Sequence, residues 1–245
     1  MKNIVKPTLI LSTVALIAAF LLAFVYNLTQ PQILKYEKEK ELKALAMVLP
    51  GYTIKETKTY KLKGADVKYW YAEKNVDGIA ASGYAFIVSS SGYSGEVRSM
   101  IGIDQDFVLQ GISILKQSET PGLGARAIEV MSSLTFFDFL KGKREDNNVK
   151  IPWFQEQFFG LNLLKEITVV KKGDWKPSMK EELLQKNEIS AITGATITSR
   201  AVIKGIQDGM ITIKPIIEND IAEKKKLLNA ENISPEINNQ QNTVQ

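Results

Sequence analysis

Two short segments hold the residues best equipped for chemistry, and both are rich in glycine and hydroxyl side chains. Ser190–Arg200 reads SAITGATITSR. Within it Thr193, Gly194, Ala195 and Thr196 form a small-residue turn, and Ile197, Thr198 and Ser199 open a segment whose pattern predicts a helix. Gly194 lets the backbone adopt a conformation closed to other residues, or lets a bulky group come close. Thr198 or Ser199 could cap the helix, whose first N–H groups would then point toward an anion such as a phosphate. The same residues also read simply as a capped helix start. The second segment, Gln117–Gly124, reads QSETPGLG. Two glycines and a proline make a rigid loop that another group can approach closely, and Leu123 could cover a ring; the alternative is an ordinary turn between a strand and a helix. Gly122–Ala127 also matches G-x-G-x-x-A, but a dinucleotide site needs a βαβ unit and an acid downstream. Pro121 and the meander-like stretch before it argue against that unit.

The absences narrow the chemistry. The chain of 245 residues has no cysteine and no histidine. That excludes disulfides, cysteine-ligated iron–sulfur clusters, His- or Cys-ligated haem, the usual zinc sites and any Ser-His-Asp or Cys-His arrangement. Redox chemistry in this chain therefore requires an organic cofactor. Lys and Arg number 31 against 27 Asp and Glu, and they alternate, as in Lys35, Glu37, Lys38, Glu39, Lys40 and Glu41. No clustered basic face is present, and no nucleic-acid partner is expected.

The elements that must position these segments can be read in outline. No charged residue occurs from Pro7 to Leu34, and Pro7–Tyr26 is long enough to cross roughly 30 Å of hydrocarbon, with Tyr26 as an interfacial anchor. The apolar stretch exceeds a usual signal-peptide core and no A-x-A-like site follows it, which favours a retained anchor in contact with lipid. Lysines flank the span on both sides, so charge alone leaves its orientation open. Tyr36–Leu49 reads as a helix ended by Pro50-Gly51. Tyr69–Ala72, Gly83–Val88, Gly95–Ile103 and Gln110–Leu115 read as strands of an antiparallel meander, and Ile167–Val170 as another strand. Ala125–Leu140 reads as a helix with Ile128, Met131, Leu134 and Phe137 on one face, followed by a polar loop at Lys141–Lys150. Trp153–Phe159 is aromatic and expected on the core, Met179–Gln185 is a short helix, and Thr198–Ile213 the last substantial one. The tail beyond Ile216 is rich in Lys, Glu, Asn and Gln, and a helical stub followed by disorder is expected there. The predicted organisation is a membrane anchor over 1–34, a connecting helix over 35–50, one α+β domain over 51–215 with an antiparallel sheet and flanking helices, and a polar tail over 216–245.

The sequence TGAT followed by Ile197, Thr198 and Ser199 resembles the flavinylation motif of the FMN-binding domain family, which includes the G subunit of Rnf complexes and the C subunit of the sodium-pumping NADH:quinone reductase. The ETPGLG of Glu119–Gly124 resembles the second signature of that family. Weaker likenesses, in the expected order, lie in Gly92–Val97 leading to Ile101–Asp104, and in Trp153, Gln157, Phe158 and Gly160. The resemblance covers roughly Pro7 to Thr212. It implies a covalent FMN joined through its phosphate to the hydroxyl of Thr196 by a separate flavin transferase that takes FMN from FAD, an enzyme that a poorly nucleophilic threonine would need. It further implies that Thr193, Gly194, Ala195, Ile197, Thr198 and Ser199, with Glu119, Thr120, Gly122, Leu123 and Gly124, surround the flavin.

On that resemblance the chain is an electron-carrying subunit, not an enzyme alone, of an Rnf complex that moves electrons between ferredoxin and NAD while translocating Na⁺ or H⁺. Its partners would be the other subunits of the membrane complex, and its FMN domain would lie on the outer, periplasmic face of the cell membrane. The alternatives are the C subunit of a quinone reductase, a membrane-tethered binding module without redox chemistry, and a free-standing flavin-dependent reductase. Two departures stand out. The family carries an acid three residues before the first residue of [ST]GAT, where this chain has Ser190, and the stretch between Gly124 and Trp153 is longer than usual, as if a helix and loop had been inserted.

Overall fold

The computed structural model describes residues 2–62, 65–76, 79–130 and 150–240. The chain divides into two units, Met1–Lys43 and Ala44–Gln245. The first consists of most of helix α1, Lys2–Val48, which runs unbroken through Pro7 and Pro31. Among the described residues this is the one helix long and apolar enough to cross a membrane. Leu9, Leu11, Leu16, Phe20 and Leu22 point outward along it. Its hydroxyls are satisfied internally: Thr13 and Thr29 donate to the carbonyls of Leu9 and Val25, at 2.8 and 2.9 Å. This back-bonding lets a threonine lie in an apolar medium without a bare polar group.

In the second unit, β1 (Thr53–Leu62), β2 (Ala65–Val76), β3 (Ile79–Ser91), β4 (Glu96–Asp104) and β5 (Leu109–Lys116) form an antiparallel meander in chain order. Side chains alternate between the two faces of a strand, and both faces here are covered. Tyr69, Tyr71, Tyr84, Phe86, Ile101 and Ile103 point to one side. There they meet Val202, Ile206, Met210, Ile213 and Ile217 of the long C-terminal helix α4, Thr196–Gln240. Trp70, Ala72, Ala85 and Met100 point to the other side and pack with Ala44, Leu45, Val48 and Leu49 at the end of α1. Gly102 and Gly111 are register partners on β4 and β5. A side chain at Gly102 would drive into the Val48 carbonyl, so the pair forms the flat seat on which the helix end rests.

The remaining elements are short. The aromatic turn α2, Trp153–Glu156, buries Trp153 and Phe154 as expected. Strands β6 (Thr168–Val170) and β7 (Glu188–Ser190) pair in parallel, bracketing a 3₁₀ turn at Pro177–Met179 and helix α3, Lys180–Gln185.

The four predicted meander strands match β2–β5, with Gly95 alone falling outside β4, but β1 was missed. Its sequence TIKETKTYKL is mostly charged and hydroxylated because this edge strand is largely exposed. The predicted helix over Ala125–Leu140 does not begin as one. Gly124–Ile128 is a 3₁₀ turn, with the Arg126 N–H on the Leu123 carbonyl at 3.1 Å and the Glu129 N–H on the Arg126 carbonyl at 3.0 Å. Met131, Leu134, Phe137 and the loop to 149 lie outside the described residues. Helix α4 also runs beyond the predicted stub, to Gln240. Ile216 and Ile217 are buried, and the Asp220 carboxylate meets Lys58 Nζ and accepts from the Tyr84 hydroxyl at 3.1 Å, which carries the helix past its polar composition.

Candidate functional site

Three connections meet at one end of the meander. The β3–β4 turn contributes Gly92–Gly95, closed by the Gly92 N–H on the Gly95 carbonyl at 2.7 Å. The loop after β5 contributes Gln117–Leu123, and the turn after β7 contributes Ala191–Ala195. The register explains the meeting: Arg98 near the start of β4 pairs with Lys116 at the end of β5, so the turn and the loop leave the sheet together. Helix α4 is held to that end by Ser90, whose hydroxyl donates to the Ala201 carbonyl at 2.6 Å.

These connections enclose a cleft of about 670 Å³, within the roughly 300–1,000 Å³ of small-molecule sites. Ten of the twelve sequence-predicted residues line it: Glu119, Thr120, Leu123, Gly124, Thr193, Gly194, Ala195, Thr196, Ile197 and Thr198. The other two act from outside its lining. Gly122 gives the loop its left-handed turn, with φ of 75°. Ser199 is fully buried, its hydroxyl accepting from the Ile192 N–H at 3.0 Å and donating to the Ala195 carbonyl at 3.1 Å. Neither Thr198 nor Ser199 caps α4 as expected, because the helix already begins at Thr196 and both hydroxyls lie within its first turn.

Glu119 is the acid of the cleft and is 5% exposed. One carboxyl oxygen accepts from the Thr198 hydroxyl at 2.5 Å and the other from the Ser94 N–H at 3.1 Å, while its own N–H donates to Gln117 Oε1 at 2.6 Å. Glu119 is thus spent on joining the three connections. Gly124 lies against it so closely that a side chain there would collide with Glu119 and the Thr198 hydroxyl. Gly194, with φ of 78°, would set a side chain 3.0 Å from Leu123. Thr196 is half-buried in the wall, and Tyr93, Leu123 and Ile197 form an exposed apolar rim.

Of the further lining and supporting residues, Lys171 and Asp174 carried no signal in the sequence. Among the described residues, Lys171 is the one basic side chain lining the cleft. Asp174 accepts from the Thr193 N–H at 2.9 Å and from Arg126 Nη2 at 2.8 Å. Partial burial pushes its carboxyl up, but the Thr193 N–H and the Arg126 guanidinium outweigh this and hold it below the usual carboxylate range. The Gln157 side chain braces the Ser190 backbone, accepting from its N–H at 2.8 Å and donating to its carbonyl at 3.2 Å. Ser190 itself is fully buried, and its hydroxyl donates to the Gly173 carbonyl at 2.5 Å. All depend on the parallel β6–β7 pairing, which brings residues 17 or more positions apart into contact.

Residues 92–210 match the FMN-binding domain family, and residues 1–48 match the RnfG N-terminal region. A little under half of the chain is thus similar to FMN-binding domains. It is 39% identical over 117 residues to the G subunit of the Na⁺-translocating ferredoxin:NAD⁺ oxidoreductase complex of Acetobacterium woodii, covering 48% of this chain and 42% of that protein. It is 28% identical over 214 residues to the G subunit of the ion-translocating oxidoreductase complex of Methanosarcina acetivorans, covering 85% of this chain and 94% of that protein. Among solved structures, the C subunit of the Na⁺-translocating NADH-quinone reductase of Parabacteroides distasonis is similar at 22% identity with a TM-score of 0.43, over 67% of this chain and 78% of that one.

FMN fits the cleft by the chemistry of its walls. Leu123, Ile192, Ala195 and Ile197 offer an apolar surface for a ring, while Thr120, Thr193 and Thr196 offer hydroxyls. The N–H groups of the first turn of α4 have no acceptor within the helix and suit a phosphate, and Lys171 brings a compensating charge.

Proposed function

We propose that this chain is the electron-carrying subunit of an Rnf-type membrane complex and holds FMN through a phosphoester to Thr196. The observation that carries this reading is the placement of the Thr196 hydroxyl: half-buried, in the wall of the large cleft, and on the first residue of a 45-residue helix. Thr196 Oγ would gain a bond to the FMN-side phosphorus of FAD and lose its proton to a base of the flavin transferase, with AMP departing. The bound flavin supplies one- and two-electron redox chemistry that no side chain here provides. Leu123 and Ile197 would cover the ring, and Lys171 would offset phosphate charge. The relatives' names place them in ion-translocating oxidoreductase complexes, that of the Acetobacterium woodii protein a ferredoxin:NAD⁺ oxidoreductase, which supports the same assembly here. α1 would be the anchor over 1–34 and the connecting helix over 35–50, with the FMN domain over 51–215 on the outer face.

The test is mass spectrometry of the protein purified from membranes containing a flavin transferase. A gain of about 440 Da on the peptide bearing Thr196, lost in Thr196→Ala, is expected for the phosphoester. An unmodified Thr196 would overturn the covalent assignment, and a chain that co-purifies with no other redox subunit would overturn the assembly. The side of the membrane is read separately. The chain has no native cysteine, so Lys176→Cys at an exposed position should react with an impermeant maleimide from outside the cell.

A further inference from the structure

The turn that carries the proposed attachment point is anchored by buried Ile192 and Ala195, but its exposed part has few hydrogen bonds to the rest of the fold. Thr193 and Gly194 are exposed, and Gly194 occupies a left-handed conformation, its own torsions free of side-chain restraint. The Ala191 N–H bonds the Val170 carbonyl at 2.8 Å, which only continues the β6–β7 ladder. The Ile192 N–H is taken by Ser199 and the Ala195 N–H by the Ile192 carbonyl at 2.9 Å, both local to the turn and its helix. The Thr193 N–H alone reaches a side chain from another part of the fold, Asp174 Oδ1 at 2.9 Å.

Asp174 is built to hold that bond. On one side of it the Gly173 carbonyl is fixed by the buried Ser190 hydroxyl, and on the other Trp175 is only 2% exposed. Its second oxygen takes Arg126 Nη2 at 2.8 Å. Arg126 is itself steadied by Glu129 at 3.1 Å and lies 5.4 Å from the ring centre of buried Trp153. Arg126 follows directly on the Glu119–Gly124 wall, so the Arg126–Asp174–Thr193 chain joins the two walls of the cleft. It flanks Thr196 on the N-terminal side as Glu119–Thr198 does on the C-terminal side. The guanidinium also offsets the carboxylate's charge beside a phosphate-bearing ligand.

We propose that Asp174 is a positioning residue for flavin attachment: it tethers the Thr193–Ala195 turn so that the Thr196 hydroxyl is presented to the transferase. This rests on the reading of Thr196 as the acceptor. Asn at position 174 keeps an oxygen for the Thr193 N–H and Ala keeps none, so the two variants separate the tether from the charge.

The experiment uses the detergent-solubilised full chain, unmodified, with a flavin transferase and FAD, following in-gel flavin fluorescence and the mass of the Thr196 peptide. Asp174→Ala should slow attachment at least tenfold through kcat rather than KM, with Asp174→Asn restoring most of the rate and Arg126→Met falling between them. Hydrogen exchange of a peptide spanning residues 191–196, read without any flavin, should show the Thr193 amide at least tenfold less protected in Asp174→Ala and close to wild type in Asp174→Asn. A wild-type rate in Asp174→Ala, equal rates in the Ala and Asn variants, or unchanged exchange would each overturn the tether. Failure of wild type itself to accept flavin would overturn the reading of Thr196, and the exchange measurement would still decide the tether. If Asp174→Ala does not fold, Asp174→Leu, close to Asn in size and without an acceptor for the Thr193 N–H, takes its place against Asp174→Asn.

Discussion

Thr198→Val is the perturbation that most directly tests how the cleft is held together. Valine has nearly the shape of threonine, so packing at this buried position is kept and only the hydroxyl is lost. That hydroxyl donates to Glu119 at 2.5 Å, and Glu119 is 5% exposed. Its other oxygen keeps the Ser94 N–H, but the oxygen facing position 198 would lose its donor in a side chain this little exposed. A buried acceptor left bare costs about 1–3 kcal/mol, more than the net worth of the bond itself. Taking about 2 kcal/mol for a site this enclosed, and 2–4 °C per kcal/mol for a chain of this size, the unfolding midpoint should fall by about 4–8 °C.

Removing both partners should be gentler than removing one. In Glu119→Met/Thr198→Val no buried acceptor remains, and the freed Ser94 N–H belongs to an exposed residue that water can reach. The double variant should therefore unfold at a higher temperature than Thr198→Val alone, an ordering that simple loss of contacts cannot produce. Circular dichroism melts of the four proteins in one detergent supply the cycle. A Thr198→Val midpoint within about 1 °C of wild type, or a double variant weaker than both singles, would refute the account of Glu119 as a clamp that depends on its donors.

Other expectations follow from the same geometry. Ser190→Ala should cost about 1 kcal/mol by stripping a donor from the Gly173 carbonyl. Ser190→Asp should cost on the order of 3 kcal/mol or more, because it forces a carboxyl against that carbonyl with no water; denaturant titration distinguishes the two. Asp174 and Asp220 are both held below the usual carboxylate range, in each case because nearby donors and cations outweigh burial. Their contributions are present above the unfolded value of about 3.9 and fade as pH falls through the lower folded values. Melts from about pH 6 downward should show this loss, blunted in Asp220→Asn. At neutral pH that variant should lose about 3 kcal/mol, because it leaves the buried Lys224 Nζ without its counter-charge while Lys58 remains partly exposed. In the flavin-loaded protein, Lys171→Gln should lower the two-electron midpoint potential by about 20 mV, taking roughly 1 kcal/mol for a partly solvated charge; an unchanged potential in spectroelectrochemistry would remove Lys171 from the flavin's surroundings.

Much of the frame was legible because it obeys local rules. Tyr69, Trp70 and Tyr71 alternate between the faces of the sheet, as do Tyr84, Ala85 and Phe86, and strand periodicity reads that directly. The two halves of the cleft were legible as motifs, since each occupies a handful of consecutive residues. What stayed hidden was non-local. Strand β1 buries too little to show an apolar period, and its place is set by pairing with β2. Lys171 and Asp174 sit in an unremarkable KKGDW, and only the parallel β6–β7 ladder carries them to the turn before α4. Ser190 could be noted as a departure from a family pattern, but nothing in the sequence said that its side chain is sealed against Gly173. A position with no water access cannot be read by a partner enzyme in the folded chain, so the presence of serine there bears on packing before it bears on recognition.

The position of Thr196 at the start of α4, rather than in mid-loop, has a physical consequence for a covalent carrier. An attachment point on a free loop would let the cofactor wander relative to its electron donors and acceptors. Here the residues that follow are laid along β3: the Ser90 hydroxyl holds Ala201 near the beginning of the helix, and Tyr84 holds Asp220 two dozen residues after Thr196. Ile203, Ile206, Met210, Ile213 and Ile217 fill the interval against the sheet. Gly209 removes the side chain that would otherwise strike Val88 and so permits the close approach. Thr196 therefore inherits the rigidity of the whole sheet–helix layer, while the turn before it, with Gly194 in its left-handed conformation, stays open to a modifying enzyme. Stiffness on one side of the acceptor and access on the other are separate requirements, and the boundary between them falls at the first residue of the helix.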